Sequence, residues 1–295
     1  MKHVQLAEVR MKVERLSSLT RSIDLDYPTN RAIVIITLLF LFGISGFQLF
    51  LGRNISAALY SGLRAGAAVF LAWAFGRELD PDNELSAFFA AFLGCTGFLF
   101  FPSPFLLGLF LELLLIRIVN RSTGMPSKTS DSLAVLLLSG WISLQGNWIF
   151  GLFTSLAFLL DSFLPAPNRH NRIFGGAAFI VSVLAFLKAA GQENTSLNIE
   201  STFPAIQSGL FMLTVSLLFI PIVLSSRKIK SGGDMTGIPL DPLRMQAAQL
   251  TALLSAGLLT ALRGWAGAES LMPLWGAILG VSLYGYLHML LKKIT

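Results

Sequence analysis

Apolar runs of fifteen to twenty-two residues, separated by short polar stretches, fill this chain from residue 32 to residue 291. Within runs such as Ala32–Leu51 and Pro204–Leu224 the apolar positions are continuous and do not alternate. That pattern predicts helices, because a strand would alternate and a backbone in lipid must satisfy its own hydrogen bonds. Ten segments are predicted: Ala32–Leu51, Ile55–Gly76, Leu85–Phe101, Phe105–Val119, Lys128–Leu144, Trp148–Leu164, Ile173–Ala190, Pro204–Leu224, Met245–Trp265 and Leu271–Leu291. The expected fold is an all-α, polytopic membrane bundle. Residues 31–295 form one transmembrane domain, preceded by an N-terminal arm of residues 1–30.

The central segments make two short hairpins. About 20 residues are needed to cross ~30 Å of hydrocarbon, yet Leu85–Phe101 and Phe105–Val119 have 17 and 15. The turn between them, Phe101-Pro102-Ser103-Pro104, is too tight for anything but a helical hairpin. Each short pair either tilts across the bilayer or re-enters from one side. The sidedness of the longer loops is the same in both cases.

Charge assigns the sides. With the arm inside, the inner face collects Lys2, Arg10, Lys12, Arg15, Arg21, Arg31 and Arg77, then Arg117, Arg121, Lys128, Arg169 and Arg172. Arg227, Lys228, Lys230, Arg244, Lys292 and Lys293 complete eighteen of the 22 basic residues. Arg53, Lys188 and Arg263 fall outside, and Arg64 lies within a segment. Loops rich in Lys and Arg stay cytoplasmic because their translocation is disfavoured. Both termini are therefore expected in the cytoplasm, the setting being a prokaryotic cytoplasmic membrane. Trp141, Trp148, Trp265 and Trp275 flank the predicted outer turns, where indole rings settle among headgroups.

Composition agrees with a bilayer environment. The chain is 54% hydrophobic and 13% charged, against roughly 25% charged in an average soluble domain, and its mean hydropathy is +0.69. A sequence pI of 9.7 would suit nucleic acid, but the basic residues are dispersed over separate inner loops, so no nucleic-acid partner is expected. In the arm, Leu6, Val9, Val13, Leu16 and Ile23 recur at helical spacing with Lys12, Arg15 and Arg21 among the polar positions. An interfacial helix on anionic lipid and a solvated arm both fit. No apolar core precedes Ala32, so a signal peptide is not expected.

Two features carry candidate chemistry. The first is Arg77-Glu78-Leu79-Asp80-Pro81-Asp82-Asn83-Glu84, four carboxylates on an inner loop that should be basic. Glu78, Asp80, Asp82 and Glu84 could supply oxygens to Mg²⁺ and so bridge to a phosphate. Equally, Asp followed by Pro is a helix start, as Ser103-Pro104 and Asp241-Pro242 are expected to be. The second is Arg64 with Glu112, opposite charges near the middle of their segments, where a charge is costly unless paired or hydrated. They are expected to pair, either as a packing element or as a solute-binding centre in which Glu112 orients the arginine or carries a proton. Gly62 and Gly66 flank Arg64 as a small-residue surface for a neighbouring helix.

Weaker polar marks are read as scaffolding. Asp161 and His288 are expected at interfaces, and Asn168-Arg169-His170-Asn171-Arg172 as a solvated loop. Thr123-Gly124-Met125-Pro126 and Thr236-Gly237-Ile238-Pro239 repeat a small pattern that hints at internal duplication. Cys95 is the single cysteine, so no disulfide or cysteine metal cluster forms.

Three functions remain open on these grounds. One is a carrier or permease for a small anionic or amphiphilic solute. Another is a membrane enzyme acting on a lipid-linked phosphate at the cytoplasmic leaflet, and the third is a structural subunit of a membrane complex. The alternation itself is directly testable. Reporter fusions after Arg53, Leu144, Asn194 and Ala268 are expected to read outside, and those after Asp82, Arg121, His170 and Ser231 inside. An outside signal at Asp82 or Ser231 would break the assignment of every loop.

Overall fold

A computed structural model of the chain describes residues 17–21, 23–192 and 202–294. Among these residues ten α-helices follow one another: α1 (Pro28–Phe50), α2 (Ile55–Leu79), α3 (Ser86–Phe100), α4 (Leu106–Asn120), α5 (Thr129–Leu144), α6 (Ile149–Phe163), α7 (Asn171–Gln192), α8 (Thr202–Ser225), α9 (Pro242–Ser270) and α10 (Met272–Ile294). No β-strand occurs among the described residues. Each predicted segment coincides with one helix to within a few residues. The amphipathic pattern between Leu6 and Leu16 lies outside the described residues.

Helix ends follow local chemistry. Pro28 opens α1 after an extended Tyr27, a position where its missing N–H costs nothing. Asn54 caps α2 by accepting the Ala57 N–H at 2.8 Å. Asp241 does the same for α9, accepting the Arg244 N–H at 3.0 Å ahead of Pro242.

Length separates the helices into two kinds. Helices α1, α2, α7, α8, α9 and α10 are long and apolar enough to cross a membrane, which makes this a multi-pass membrane protein. Helices α3 to α6 have only 15 or 16 residues, roughly 22–24 Å at 1.5 Å per residue, short of the ~30 Å core. The ten apolar segments are thus ten helices, of which six meet the length of a span.

The described chain forms two compact units. One gathers the described parts of 1–23, 114–196 and 228–251; the other gathers those of 24–113, 197–227 and 252–295. The second unit is built on seams of small residues. A Cβ at Gly62 would strike the Leu41 carbonyl and the Ser45 hydroxyl of α1, and one at Gly66 would meet the Thr37 carbonyl at 3.1 Å. Gly76 and Gly94 of α2 and α3 are closed in the same way by Ala87 and Ala72. Gly280 of α10 lies against the backbone of α3, where an added Cβ would be 2.5 Å from the Ala90 nitrogen. Backbones this close gain dispersion contacts that larger residues would forbid. The outer faces are the reverse: Leu39 and Phe42 of α1 are 66% and 65% exposed, as suits a face turned to lipid.

Two of the long helices carry a local irregularity. Pro221 lies inside α8, and α9 breaks at Gly264, whose φ of 59° and ψ of −140° are not helical. Past the break, Gly267 folds back against the Leu259 carbonyl. Trp275, beside a predicted outer turn, does not turn its ring outward. It is buried, donating Nε1–H to Thr260 Oγ1 at 3.2 Å and packing on Phe211 with ring centroids 5.2 Å apart. Trp141 is 53% exposed and turns its ring outward.

In the first unit α5 and α6 form a hairpin through Gly146 at φ 91°. Helix α7 closes on it, Ser182 donating to the Trp148 carbonyl at 2.7 Å.

The α1–α2 seam sets a test. Gly62→Leu forces apart a contact between a backbone carbonyl and a helix, and overpacking of this kind costs about 1–3 kcal/mol. Its thermal unfolding temperature in detergent is expected to fall clearly. Gly43→Ala, which faces open space, is expected to leave it nearly unchanged.

Candidate functional site

A carboxylate in an apolar helix must find donors or become neutral. Asp161, near the end of α6, finds three, and a fourth nitrogen in ion-pair contact. Fully buried, its Oδ1 accepts from Arg121 Nε at 2.9 Å and Arg244 Nη1 at 2.7 Å, with Arg121 Nη2 at 2.8 Å. Its Oδ2 accepts from Asn171 Nδ2 at 2.7 Å. Arg244 gives its remaining donors to backbone carbonyls, Nε to Pro165 at 2.8 Å and Nη1 to Val119 at 3.0 Å. Arg121 reaches inward from a left-handed backbone, φ 53°, a conformation costing a non-glycine residue roughly 1–2 kcal/mol.

Around this centre the loops of the first unit are joined. Ser132 donates to Asn171 Oδ1 at 2.8 Å, and Asn171 Nδ2 donates to Ser127 Oγ at 2.9 Å. Asn168 donates to the Ser127 carbonyl at 2.9 Å. Asp131 Oδ2 accepts both the backbone N–H of Ser18 at 2.7 Å and its hydroxyl at 2.6 Å, and Arg117 donates to the Leu19 carbonyl at 3.2 Å. Asp234 N–H and Met235 N–H donate to the carbonyls of Ser122 and Thr123 at 3.0 and 3.1 Å, while Arg21 forms an ion pair with Asp234.

Four stretches that the basic residues assigned to one face, around residues 17–21, 117–132, 161–172 and 228–244, therefore meet in one polar cluster. The two Thr-Gly-x-Pro stretches meet as well. Gly124, at φ 87°, lies against the Thr236 side chain so tightly that a Cβ there would overlap its hydroxyl. Gly124 has a packing reason in this contact, whereas Gly237, at φ 65°, faces open space.

The 168–172 loop is only half solvated. Arg169, His170 and Arg172 are exposed, but Asn171 is buried and Asn168 is held. Asp161, expected near an interface, is a buried hub at the end of its helix. The available sequence signal was an aspartate inside an apolar segment; which cations would meet it was not marked.

The residues singled out from the sequence are placed differently. No ion pair joins Arg64 to Glu112. The Arg64 guanidinium lies 5.5 Å over the Tyr60 ring, one turn back on its own helix, and the side chain is half-buried. Glu112 on α4 is fully buried, and neither carboxyl oxygen has a hydrogen-bond partner. The Ser255 hydroxyl of α9 is set beside it without meeting hydrogen-bond geometry.

The acidic loop does not converge. Asp80 ends α2, its Oδ1 and Oδ2 accepting from Asn83 Nδ2 at 2.9 and 3.1 Å. Burial pushes its carboxyl above the usual range, against the hydrogen bonds of Asn83 and Ser86. Glu84 pairs with Arg77 at 3.5 Å, Glu78 is buried and Asp82 is exposed. Nor does Asp80-Pro81 start the next helix, since α3 begins at Ser86 after an uncapped Leu85. Among the described residues no three His, Cys, Asp or Glu side chains are grouped to hold a metal ion.

Compared with known proteins, the chain matches no family model, no curated protein and no solved structure.

The Asp131–Ser18 contact yields a prediction. Asp131→Ala strips the acceptor from both donors of Ser18 and frees the segment that carries Arg21. Limited trypsin digestion in detergent is expected to cut after Arg21 faster in this variant than in wild type, with the helices otherwise intact by circular dichroism.

Proposed function

We propose that this protein is a carrier or permease for a small anionic or amphiphilic solute, and that Glu112 with Ser255 forms the polar part of its path. The observation that carries the reading is Glu112 itself, fully buried on α4 with both oxygens unpartnered. An ionisable group left without a counter-charge in an apolar bundle contributes nothing to packing that an apolar residue would not do better. It is expected where a solute, a proton or water visits.

The break of α9 at Gly264, and the proline carried inside α8 at Pro221, support the same reading. Carriers commonly break their helices where backbone groups must serve a ligand or a helix must swing. Ser255 and the break at Gly264 stand on the same helix, nine residues apart. The Asp161 cluster serves as scaffold, since Arg244 is committed to several acceptors at once. The acidic loop supports the enzyme reading less, because Asp80 and Glu84 are each engaged within their own loop.

A path past Glu112 must admit water from at least one side. Cys95 is the chain's single cysteine and is buried, so Cys95→Ser provides a clean background. In it, Glu112→Cys is expected to react with a membrane-impermeant methanethiosulfonate in sealed vesicles, from one face at least. A thiol sealed from both faces, in a protein that still folds, would contradict the carrier reading.

A further inference from the structure

We infer that Glu112 is a neutral carboxylic acid that binds and releases a proton, and that the solute moves together with that proton. This rests on the carrier reading and assigns its coupling ion. The geometry leads here by elimination of counter-charges. Neither oxygen of Glu112 accepts a hydrogen bond, and no cation forms an ion pair with it among the described residues. Burying an unpaired carboxylate costs several kcal/mol even after relaxation, whereas adding a proton removes that cost at once.

The charged groups on the two helices concerned are placed elsewhere. On α4 the next charge is Arg117, five residues on and so facing a different direction, with its guanidinium bonded to the Leu19 carbonyl. On α9, Arg244 is held by Asp161. Arg263 stands eight residues past Ser255, ~12 Å along the helix, and Glu269 lies beyond the break at Gly264. Arg64, the cation nearest the middle of a predicted segment, is turned onto Tyr60. What remains beside Glu112 is the Ser255 hydroxyl, which can accept from the acid or donate to its anion, and so tolerates both protonation states.

The exchange is a simple proton transfer. When the path opens to water or an anionic solute arrives, the O–H bond at Glu112 breaks and the proton passes to water or to the solute oxygen. The carboxylate left behind is hydrated and accepts a hydrogen bond from Ser255. Reprotonation from the side on which the solute enters restores the neutral acid, so that proton and solute cross in the same direction. A monoanion carried with one proton moves no net charge, so its uptake follows a pH gradient and is indifferent to membrane potential.

Infrared spectra of the protein in lipid vesicles, wild type against Glu112→Gln, read the protonation state independently of transport. The expected result is a carboxylic acid carbonyl stretch at neutral pH that is missing from Glu112→Gln and gives way to carboxylate bands as the pH is raised. Dicyclohexylcarbodiimide, which attacks protonated carboxyls from the lipid phase, is expected to label wild-type Glu112 and to do so more slowly at alkaline pH. That arm needs no variant and holds even if Glu112→Gln fails to fold. Carboxylate bands from Glu112 at neutral pH would overturn the proton site and leave the carrier reading standing.

The coupling is read with trapped pyranine while gradients of succinate, inorganic phosphate or taurocholate are imposed. Internal pH is expected to change with solute entry in wild type and not in Glu112→Gln. Solute uptake in Glu112→Gln with the wild-type pH dependence would overturn the coupling while the carrier survives. A titrating band in a protein that moves none of the three, with position 112 sealed to thiol reagents, would overturn both readings.

Discussion

Asp161 is the constraint on which the first unit is built. A carboxylate at 0% exposure near the end of an apolar helix loses its hydration, and the loss is offset only by donors held at short range. Here those donors arrive from residues 40, 83 and 10 positions away in the chain. Three loops must therefore converge before the charge is satisfied, and once they have, none can leave alone. Asn171 passes the constraint on to Ser127 and Ser132. Nearby, Asp131 binds the segment around Ser18 into the same group of loops.

The second unit solves a different problem. Between apolar helices in lipid there is no water to exclude, so association needs close contact rather than burial. The glycines of α2, α3 and α10 provide it by letting backbones meet where any side chain would intervene. Rigidity of this kind makes the exception at Glu112 informative. A bundle that fits Gly62 against a carbonyl has left a carboxyl without a partner two helices along.

Much of this architecture was legible in the sequence, and what was not has a physical reason. The ten helices were readable because a run of apolar residues leaves the backbone one economical conformation. Asp241-Pro242 was read correctly as a helix start. Asp80-Pro81 carries the same two residues and starts nothing, because the chain must first turn back over 80–83 and Asp80 is spent on Asn83. Depth along a segment placed Arg64 and Glu112 at similar levels, but depth does not fix the direction a residue faces. Arg64 is two residues from Gly62 and from Gly66, roughly 200° around the helix from each, so it points away from the seam those glycines form. The Asp161 cluster was hidden for the opposite reason. Its members are ordinary loop residues whose meeting depends on long-range closure, and no local spacing marks it.

The loops that charge counting assigned to one face are thus held together by a buried ion cluster. Its strength should show in unfolding free energies of the protein in detergent, measured for Asp161→Asn, Arg244→Gln and the double variant. Each single change is expected to cost roughly 3–5 kcal/mol, since each leaves a buried charge without its partner. The double variant should fall short of the sum by on the order of 1–3 kcal/mol, the signature of groups in contact. Costs that add to within ~0.5 kcal/mol would mean the two residues act independently, and would contradict the account of Asp161 as the anchor of this fold.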